Sequence, residues 1–247
     1  MVEKKKIQYR AIVPNIFTIG NMFCGFTSIV YSFKGEFTTA FWLIVVGGLF
    51  DALDGKIARF LDTSSDFGVE YDSLSDVITF GVAPSLMLYN AFYYQMSIPG
   101  FLLAFLPLLF GSIRLARFNV ELEGFTKEEF SGLPIPIAAI TIASGVVFWV
   151  RNIPPDMKYL HWFSGIMIIV SFLMVTRFRY PSLPNFRLKH ARPSDRVAFL
   201  VLLIALVMVL VWKDKALFPV MVGISLSGVF AWFFEWFKEG GKRINNN

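Results

Sequence analysis

Apolar runs of near-membrane length recur along the chain, separated by short polar connections. A helix needs about 20 mainly apolar residues to cross roughly 30 Å of hydrocarbon, and windows of that length predict about eight membrane helices. These are Ile16–Phe33, Phe37–Phe60, Val69–Tyr94, Phe101–Phe118, Ile135–Val150, Leu160–Phe178, Ala198–Trp212 and Ala216–Phe237. The pattern predicts an all-α, polytopic bundle of membrane helices, with residues 1–247 forming a single domain.

The composition agrees with a membrane protein and removes several other classes. Of the 247 residues, 55% are hydrophobic and 17% are charged, whereas globular domains carry about 25% charged residues. This excludes a soluble enzyme, a disordered regulator and a nucleic-acid-binding domain, so the net charge of +5 is assigned to topology and anionic lipid. With one Cys and two His, zinc, haem and thiol chemistry is disfavoured.

The positive charges favour one orientation across the cell membrane. Most of the 23 Lys and Arg residues lie at the two termini and in segments 51–72, 114–130 and 177–196. Because cytoplasmic loops carry the excess of Lys and Arg, both termini and the acidic segment are predicted to face the cytoplasm. Segment 177–196 is also expected to contact anionic lipid headgroups. The exceptions to the pattern are Lys34, Arg151, Lys158, Lys213 and Lys215.

Acidic residues are concentrated where the second and third predicted helices meet. Seven of the 18 Asp and Glu residues fall in positions 51–76. Asp51 and Asp54 end one apolar run, and Asp72 and Asp76 begin the next. Four unpaired carboxylates at full membrane depth would cost on the order of 10 kcal/mol on insertion scales. We therefore expect a partner that neutralises them.

Helical geometry turns each pair of aspartates to one side. Residues three apart lie about 60° apart around a helix, and residues four apart lie about 40° apart. If the two helices are antiparallel neighbours, the four carboxylates converge on a small volume. Such oxygen ligands suit Mg²⁺ or Mn²⁺, as one ion or two, and a site of this kind also binds phosphate.

Small and polar residues beside the aspartates fit a bulky substrate that carries phosphate. Gly55, Ala58 and Gly68 each clear side-chain volume next to a carboxylate. Arg59 lies one turn from Gly55 and offers a guanidinium fork to phosphate oxygens. Ser65 adds a hydroxyl in the connecting turn.

The spacing of these residues resembles a known signature. Segment 51–76 reads D-x2-D-G-x2-A-R-x8-G-x3-D-x3-D, which is similar to the motif of the CDP-alcohol phosphotransferase family. The resemblance implies transfer of a substituted phosphate from a CDP-linked donor to an alcohol, with release of CMP. It implies that a metal pair is held by Asp51, Asp54, Asp72 and Asp76. It also implies that Asp76 is the general base and that the CDP moiety is bound by Gly55, Ala58, Arg59 and Gly68, with Ser65 beside them.

Three further stretches resemble one branch of that family, the bacterial and archaeal phosphatidylserine synthases. They are PNIFTIGNMFCG at 14–25, RLARFN at 114–119 and GLPIP at 132–136. The resemblance implies CDP-diacylglycerol or CDP-archaeol as donor and L-serine as acceptor, with the predicted helices in 160–237 additional to the family core. Members of the family often dimerise, so a homodimer is expected by analogy only.

Two further groups of polar residues, in the first and fourth predicted helices, can each be explained by two different roles. A stripe on one face of the first helix binds the CDP moiety or hydrogen-bonds to neighbouring helices; it consists of Asn15, Thr18 and Asn21. A group at the end of the fourth helix binds the carboxylate of serine or sets the topology; it consists of Arg114, Arg117 and Asn119.

Two alternatives to the serine transferase follow from the same residues. The first keeps the chemistry but uses glycerol phosphate or inositol phosphate as acceptor. The second is a divalent-cation transporter that uses the acidic cluster as a pathway. Transport favours charges distributed through the bilayer, whereas these aspartates lie together at one side.

Overall fold

The long elements in the described part of the chain are all helices. The computed structural model describes residues 2–61, 65–123, 132–154, 157–178, 180 and 214–244. The helices are α1 (Val2–Phe33), α2 (Phe37–Leu61), α3 (Asp66–Asp76), α4 (Ala83–Leu88), α5 (Ser97–Glu123), α6 (Ile135–Asn152), α7 (Met157–Leu173) and α8 (Asp214–Ile244). Two π-helical segments, π1 (Val77–Val82) and π2 (Tyr89–Tyr93), flank α4. The backbone is therefore helical from Asp66 to Tyr93.

Several helices have the length and apolarity of membrane spans. A backbone in hydrocarbon must satisfy its hydrogen bonds internally, which a helix does. Five described helices are long and apolar enough to cross a membrane, and a shorter apolar helix covers Tyr159–Leu173. The five spans are Asn15–Phe33, Phe37–Ala58, Ser97–Val120, Ile135–Asn152 and Lys215–Phe233. The predicted all-α, multi-pass membrane bundle is confirmed.

Most predicted helix positions match the structure, but one helix ends early. The prediction that a helix continues from Leu160 to Phe178 is wrong, because α7 ends at Leu173. The chain turns there and pairs with the stretch before α6: Leu133 donates its backbone N–H to the Leu173 carbonyl, and Gly132 donates to Phe178. The predicted helix Ala198–Trp212 lies outside the described residues.

The turn after α7 requires a glycine opposite it. Gly132 has a φ of +91°, a left-handed conformation that L side chains avoid. A Cβ there would also lie 3.0 Å from the carbonyl oxygen of Thr176. The GLPIP stretch thus fixes the entry into α6.

Helix α6 is the central helix of the bundle. It contacts α2, α4, α5, α7 and α8, and 56% of its membrane window is buried inside the protein, against at most 33% for the other spans. Helix α1 packs against α2, α3 and π1 on the side that holds the acidic segment. The aspartates are therefore positioned by three helices, not two.

Candidate active site

Three of the four predicted aspartates come together at the end of α2 and in α3. Asp51, Asp72 and Asp76 each offer one carboxylate oxygen, and these oxygens lie within 4.8 Å of one another. Asp76 is buried at 7% exposure, and the other two are half-buried. At such distances the negative charges repel one another strongly in a medium less polar than water.

The fourth aspartate lies beside this cluster and is held separately. Asp54 is 4% exposed, and its Oδ2 accepts a 2.9 Å hydrogen bond from the hydroxyl of Thr18. Its charge still acts on Asp51 and Asp72. The structure thus groups all four acids in one region but brings only three into a common cluster.

The donor set fits a divalent cation. Oδ1 of Asp72 is buried and makes no hydrogen bond among the described residues, and a buried, partnerless carboxylate oxygen is costly. A hard cation with oxygen ligands would satisfy that oxygen and neutralise the neighbouring carboxylates. Asp51, Asp72 and Asp76 are the residues that could hold it, with Asp54 next to them.

The polar stripe of α1 faces the aspartates. Asn21 is fully buried, and its Nδ2 donates a 3.0 Å hydrogen bond to Oδ1 of Asp76. Asn15 lies six residues before Asn21, with its Oδ1 3.9 Å from the point where a Cβ on Gly68 would sit. Of the two interpretations of the stripe, these contacts favour interhelical hydrogen bonding for Thr18 and Asn21.

The small residues of the signature have different surroundings. A Cβ on Gly55 would meet no atom of the described residues within 4 Å, so this part of the structure leaves room for a ligand at that backbone. Ala58 is half-buried. Ser65 is the N-cap of α3 and accepts a 3.1 Å hydrogen bond from the backbone N–H of Gly68. The side chain of Arg59 lies outside the described part of the chain.

The three predicted acceptor residues lie on α5 and have different partners. Arg114 lies close enough to Asp76 to interact with its charge, and its Nε is buried without a hydrogen-bond partner in the described structure. Arg117 donates to the carbonyl of Val175, 3.3 Å away. Asn119 donates to the hydroxyl of Ser73 at 2.9 Å, which ties the end of α5 to α3.

Sequence reasoning missed the change of helix type beside the site. Segment π1 begins at Val77, directly after Asp76. π-helical turns inside α-helices are rare and occur frequently at functional sites. Thr79 in π1 donates a 2.9 Å hydrogen bond to the carbonyl of Asn21. In the sequence, Thr79 stands out as a polar residue in an apolar run, and this is the feature that could have drawn attention to the segment.

Comparison with known proteins adds to this geometry. A family model described as CDP-alcohol phosphatidyltransferase matches residues 11–176. The chain is 36% identical over 231 residues to the CDP-diacylglycerol–serine O-phosphatidyltransferase of Helicobacter pylori, covering 90% of this chain and 92% of the relative. It is 38% identical over 186 residues to the archaetidylserine synthase of Methanothermobacter thermautotrophicus, covering 73% and 74%. A Bacillus subtilis protein with the same name as the first is 37% identical over 169 residues, covering 68% and 89%.

Proposed function

Since the chain belongs to the CDP-alcohol phosphatidyltransferase family, we propose that it transfers a phosphatidyl group from a CDP-lipid to L-serine. The product is phosphatidylserine from CDP-diacylglycerol, or archaetidylserine from CDP-archaeol, and CMP is released. Relatives with these printed names cover most of the chain. The observation that carries the proposal is the grouping of Asp51, Asp72 and Asp76 within 4.8 Å inside the range that the family model matches.

Family membership makes the chain a transferase. This replaces the divalent-cation transporter considered from the sequence. Glycerol phosphate or inositol phosphate as acceptor remains the second candidate, and turnover with each acceptor decides between these compounds and serine.

The aspartate cluster is proposed to hold two ions of Mg²⁺ or Mn²⁺. Asp51, Asp72 and Asp76 would supply ligands, and Asp54 would join them from its position beside the cluster. Bound ions would neutralise the diphosphate and the departing CMP. The partnerless Oδ1 of Asp72 supports this assignment.

Asp76 is proposed as the general base. It takes the proton from the serine hydroxyl, and the serine oxygen forms a new bond to the phosphorus on the lipid side while the bond from that phosphorus to the CMP oxygen breaks. Asn21 already donates to Oδ1 of Asp76, so we assign the proton to Oδ2. Burial of Asp76 keeps bulk water away from the acceptor.

The CDP moiety is proposed to lie along the end of α2 and the start of α3. The open side of Gly55 would let the nucleotide approach the backbone next to Asp54, and Ala58 is one turn further on. Gly68 at the start of α3 is more enclosed, since a Cβ there would lie 3.2 Å from Oγ of Ser65. Within the same proposal, Arg59 binds the diphosphate, and the polar neighbours of the nucleotide are Asn15 and Ser65; Thr18 and Asn21 donate to the aspartates instead.

Arg114 is the favoured partner of the serine carboxylate among the α5 residues. Its Nε is buried and has no hydrogen-bond partner among the described residues, so a carboxylate would satisfy a donor that otherwise loses its hydration. Arg117 and Asn119 already donate to Val175 and Ser73. We propose that these hydrogen bonds fix the position of α5 next to the acceptor pocket.

The charge pattern supports an arrangement in the cell membrane. We propose that both termini and the active site face the cytoplasm, where the excess of Lys and Arg lies. The basic segment 177–196, most of which lies outside the described residues, would contact anionic lipid headgroups. We further propose a single membrane domain over 1–247 and, by analogy with the family, a homodimer.

A panel of acceptors tests the function. Purified protein in detergent is given radiolabelled CDP-diacylglycerol with serine, glycerol phosphate or inositol phosphate, and CMP and labelled lipid are measured. We expect metal-dependent turnover with serine, lost on chelation and restored by Mg²⁺ or Mn²⁺. Turnover with glycerol phosphate and none with serine would reject the serine assignment and leave the chemistry standing.

A further inference from the structure

Two residues of α1 each donate a side-chain hydrogen bond to one aspartate of the site. Thr18 donates to Oδ2 of Asp54 at 2.9 Å, and Asn21 donates to Oδ1 of Asp76 at 3.0 Å. Thr18 and Asn21 are three positions apart and share one face of α1. One helix thus reaches an acid on α2 and an acid on α3 with neutral donors.

The same two residues also receive hydrogen bonds on their backbone carbonyls. Ser75 donates its hydroxyl to the carbonyl of Thr18 at 3.1 Å, and Thr79 donates to that of Asn21 at 2.9 Å. Each residue therefore holds the helix that carries Asp76 while its side chain holds a carboxylate. The positions of α1 and of the carboxylates are coupled.

Close packing leaves little freedom at this contact. A Cβ on Gly25 would lie 2.7 Å from the Cα of Thr79, and one on Gly47 would lie 3.0 Å from Oδ1 of Asn21. Thr18 is 3% exposed and Asn21 is 0% exposed. Side chains so enclosed are poorly placed to contact a nucleotide that arrives from outside.

We propose that Thr18 and Asn21 are positioning residues, which orient the carboxylates of Asp54 and Asp76 for the divalent cation. This inference rests on the proposed function for the identity of the site, and it replaces nucleotide contact as the role of these two residues. Partners in the shell behind metal ligands fix ligand orientation, and their loss typically costs about 10–100-fold in metal affinity or activity.

The decisive experiment measures metal binding apart from turnover. Thr18→Val keeps the shape of the side chain and removes the hydroxyl, whereas Thr18→Ser keeps the hydroxyl. Mn²⁺ binding to purified protein is followed by electron paramagnetic resonance without CDP-lipid. We expect Thr18→Val and Asn21→Ala to weaken Mn²⁺ affinity by about 10-fold or more, and Thr18→Ser to retain wild-type affinity within about threefold.

A kinetic measurement separates positioning from nucleotide contact. At saturating Mn²⁺, we expect Thr18→Val to lower kcat and to leave the KM for CDP-lipid near the wild-type value. Unchanged Mn²⁺ affinity together with a large rise in that KM would overturn the inference and make Thr18 a nucleotide contact.

Thr141→Val is the matched control. Thr141 is also buried, and its hydroxyl is 2.9 Å from that of Ser225 on α8, away from the aspartates; its variant should bind Mn²⁺ like wild type. Thermal unfolding checks each variant, and if Thr18→Val does not fold, Asn21→Ala decides. Wild-type protein that binds Mn²⁺ but transfers nothing to serine would reject the proposed acceptor and leave the positioning role intact.

Discussion

Two groups of helices in this bundle are held together by different contacts. Around the aspartates, α1 meets α2 and α3 through hydrogen bonds of Thr18 and Asn21 and through close approach at glycine. Helices α6, α7 and α8 meet mainly through aromatic rings, although the hydroxyls of Thr141 and Ser225 also lie 2.9 Å apart between α6 and α8. The centroids of Trp149 and Phe163 are 4.7 Å apart, and Phe148 reaches Phe218 on α8 at 5.5 Å.

The difference follows from what each region must do. In lipid, the hydrophobic effect does not drive helices together, so packing, small residues and polar contacts do. Rings bury a large area and tolerate small shifts. Hydrogen bonds and glycine contacts fix positions more narrowly, because their energy falls steeply with distance and angle. Hydrogen bonds and glycine contacts hold α1 against the helices that carry the aspartates. Aromatic contacts, which tolerate small shifts, predominate among the supporting helices α6, α7 and α8.

The largest effect is expected from Asp76, to which Asn21 of α1 donates a hydrogen bond. We expect Asp76→Asn to lower CMP release at least about 10³-fold, because the variant loses a base and a metal ligand while keeping the volume of the side chain. Initial rates with saturating Mn²⁺ and serine measure the loss, and thermal unfolding confirms that the variant is folded. Full metal-dependent activity in this variant would remove Asp76 as the base.

The next largest effect is expected from an alanine substitution at Gly25, near the aspartates, compared with the same substitution at Gly145 in the aromatic region. In Gly25→Ala the new Cβ would lie 2.7 Å from a backbone atom, Cα of Thr79, whereas in Gly145→Ala it would meet the ring of Phe218 at 2.8 Å. A side-chain ring can move and the π1 backbone cannot without shifting Asp76. We expect Gly25→Ala to lose about 100-fold in kcat, measured by CMP release.

The control for that pair is the ring-facing glycine. Gly145→Ala should destabilise by about 1–3 kcal/mol, as overpacked cores do, and should keep kcat within about threefold per folded molecule, since a factor of three is well under 1 kcal/mol of barrier. Equal losses of kcat in Gly25→Ala and Gly145→Ala would mean that the contacts around α1 fix the positions of the catalytic groups no more narrowly than the aromatic contacts do.

The sequence predicted the aromatic region less well than the acidic one, for a physical reason. Asp51, Asp54, Asp72 and Asp76 stand out because charge is expensive in a membrane, and helix geometry alone turned each pair to one side. The pairing of Trp149 with Phe163 has no such signal, since any of the 28 Phe residues could fill an apolar gap.

Within the site, the sequence located the acids but not their supports. The prediction used two helices, whereas α1 lies against both and supplies the donors. The polar stripe of α1 allowed nucleotide contact as well as hydrogen bonding between helices, and the hydrogen bonds and burial of Thr18 and Asn21 distinguish the two roles. The π1 segment changes the phase of the helix after Asp76 and was not predictable from apolar periodicity.

A fully buried ring in the aromatic region should affect stability and not chemistry. Phe163 is 0% exposed and contacts Phe92, Trp149 and Phe218. We expect Phe163→Ala to lower the free energy of unfolding by about 3 kcal/mol, as large cavities do. Denaturation in mixed micelles measures this. The kcat of the folded fraction should stay near wild type, and a selective loss of kcat would show that the aromatic region also positions the acids.

The smallest effect is expected at a glycine whose added methyl group would contact none of the described residues. Gly223 lies inside α8, and a Cβ there would have no neighbour within 4 Å among the residues that the structure describes. Alanine is favoured over glycine in a helix interior by about 0.5–1 kcal/mol, so Gly223→Ala should raise the unfolding temperature slightly and leave CMP release unchanged. Because this is the same substitution as Gly25→Ala, any difference between the two variants comes from their surroundings and not from the added methyl group itself. A loss of activity in Gly223→Ala would place a contact on that face of α8, such as a second copy of the chain, and crosslinking through a cysteine at position 223 would test for it.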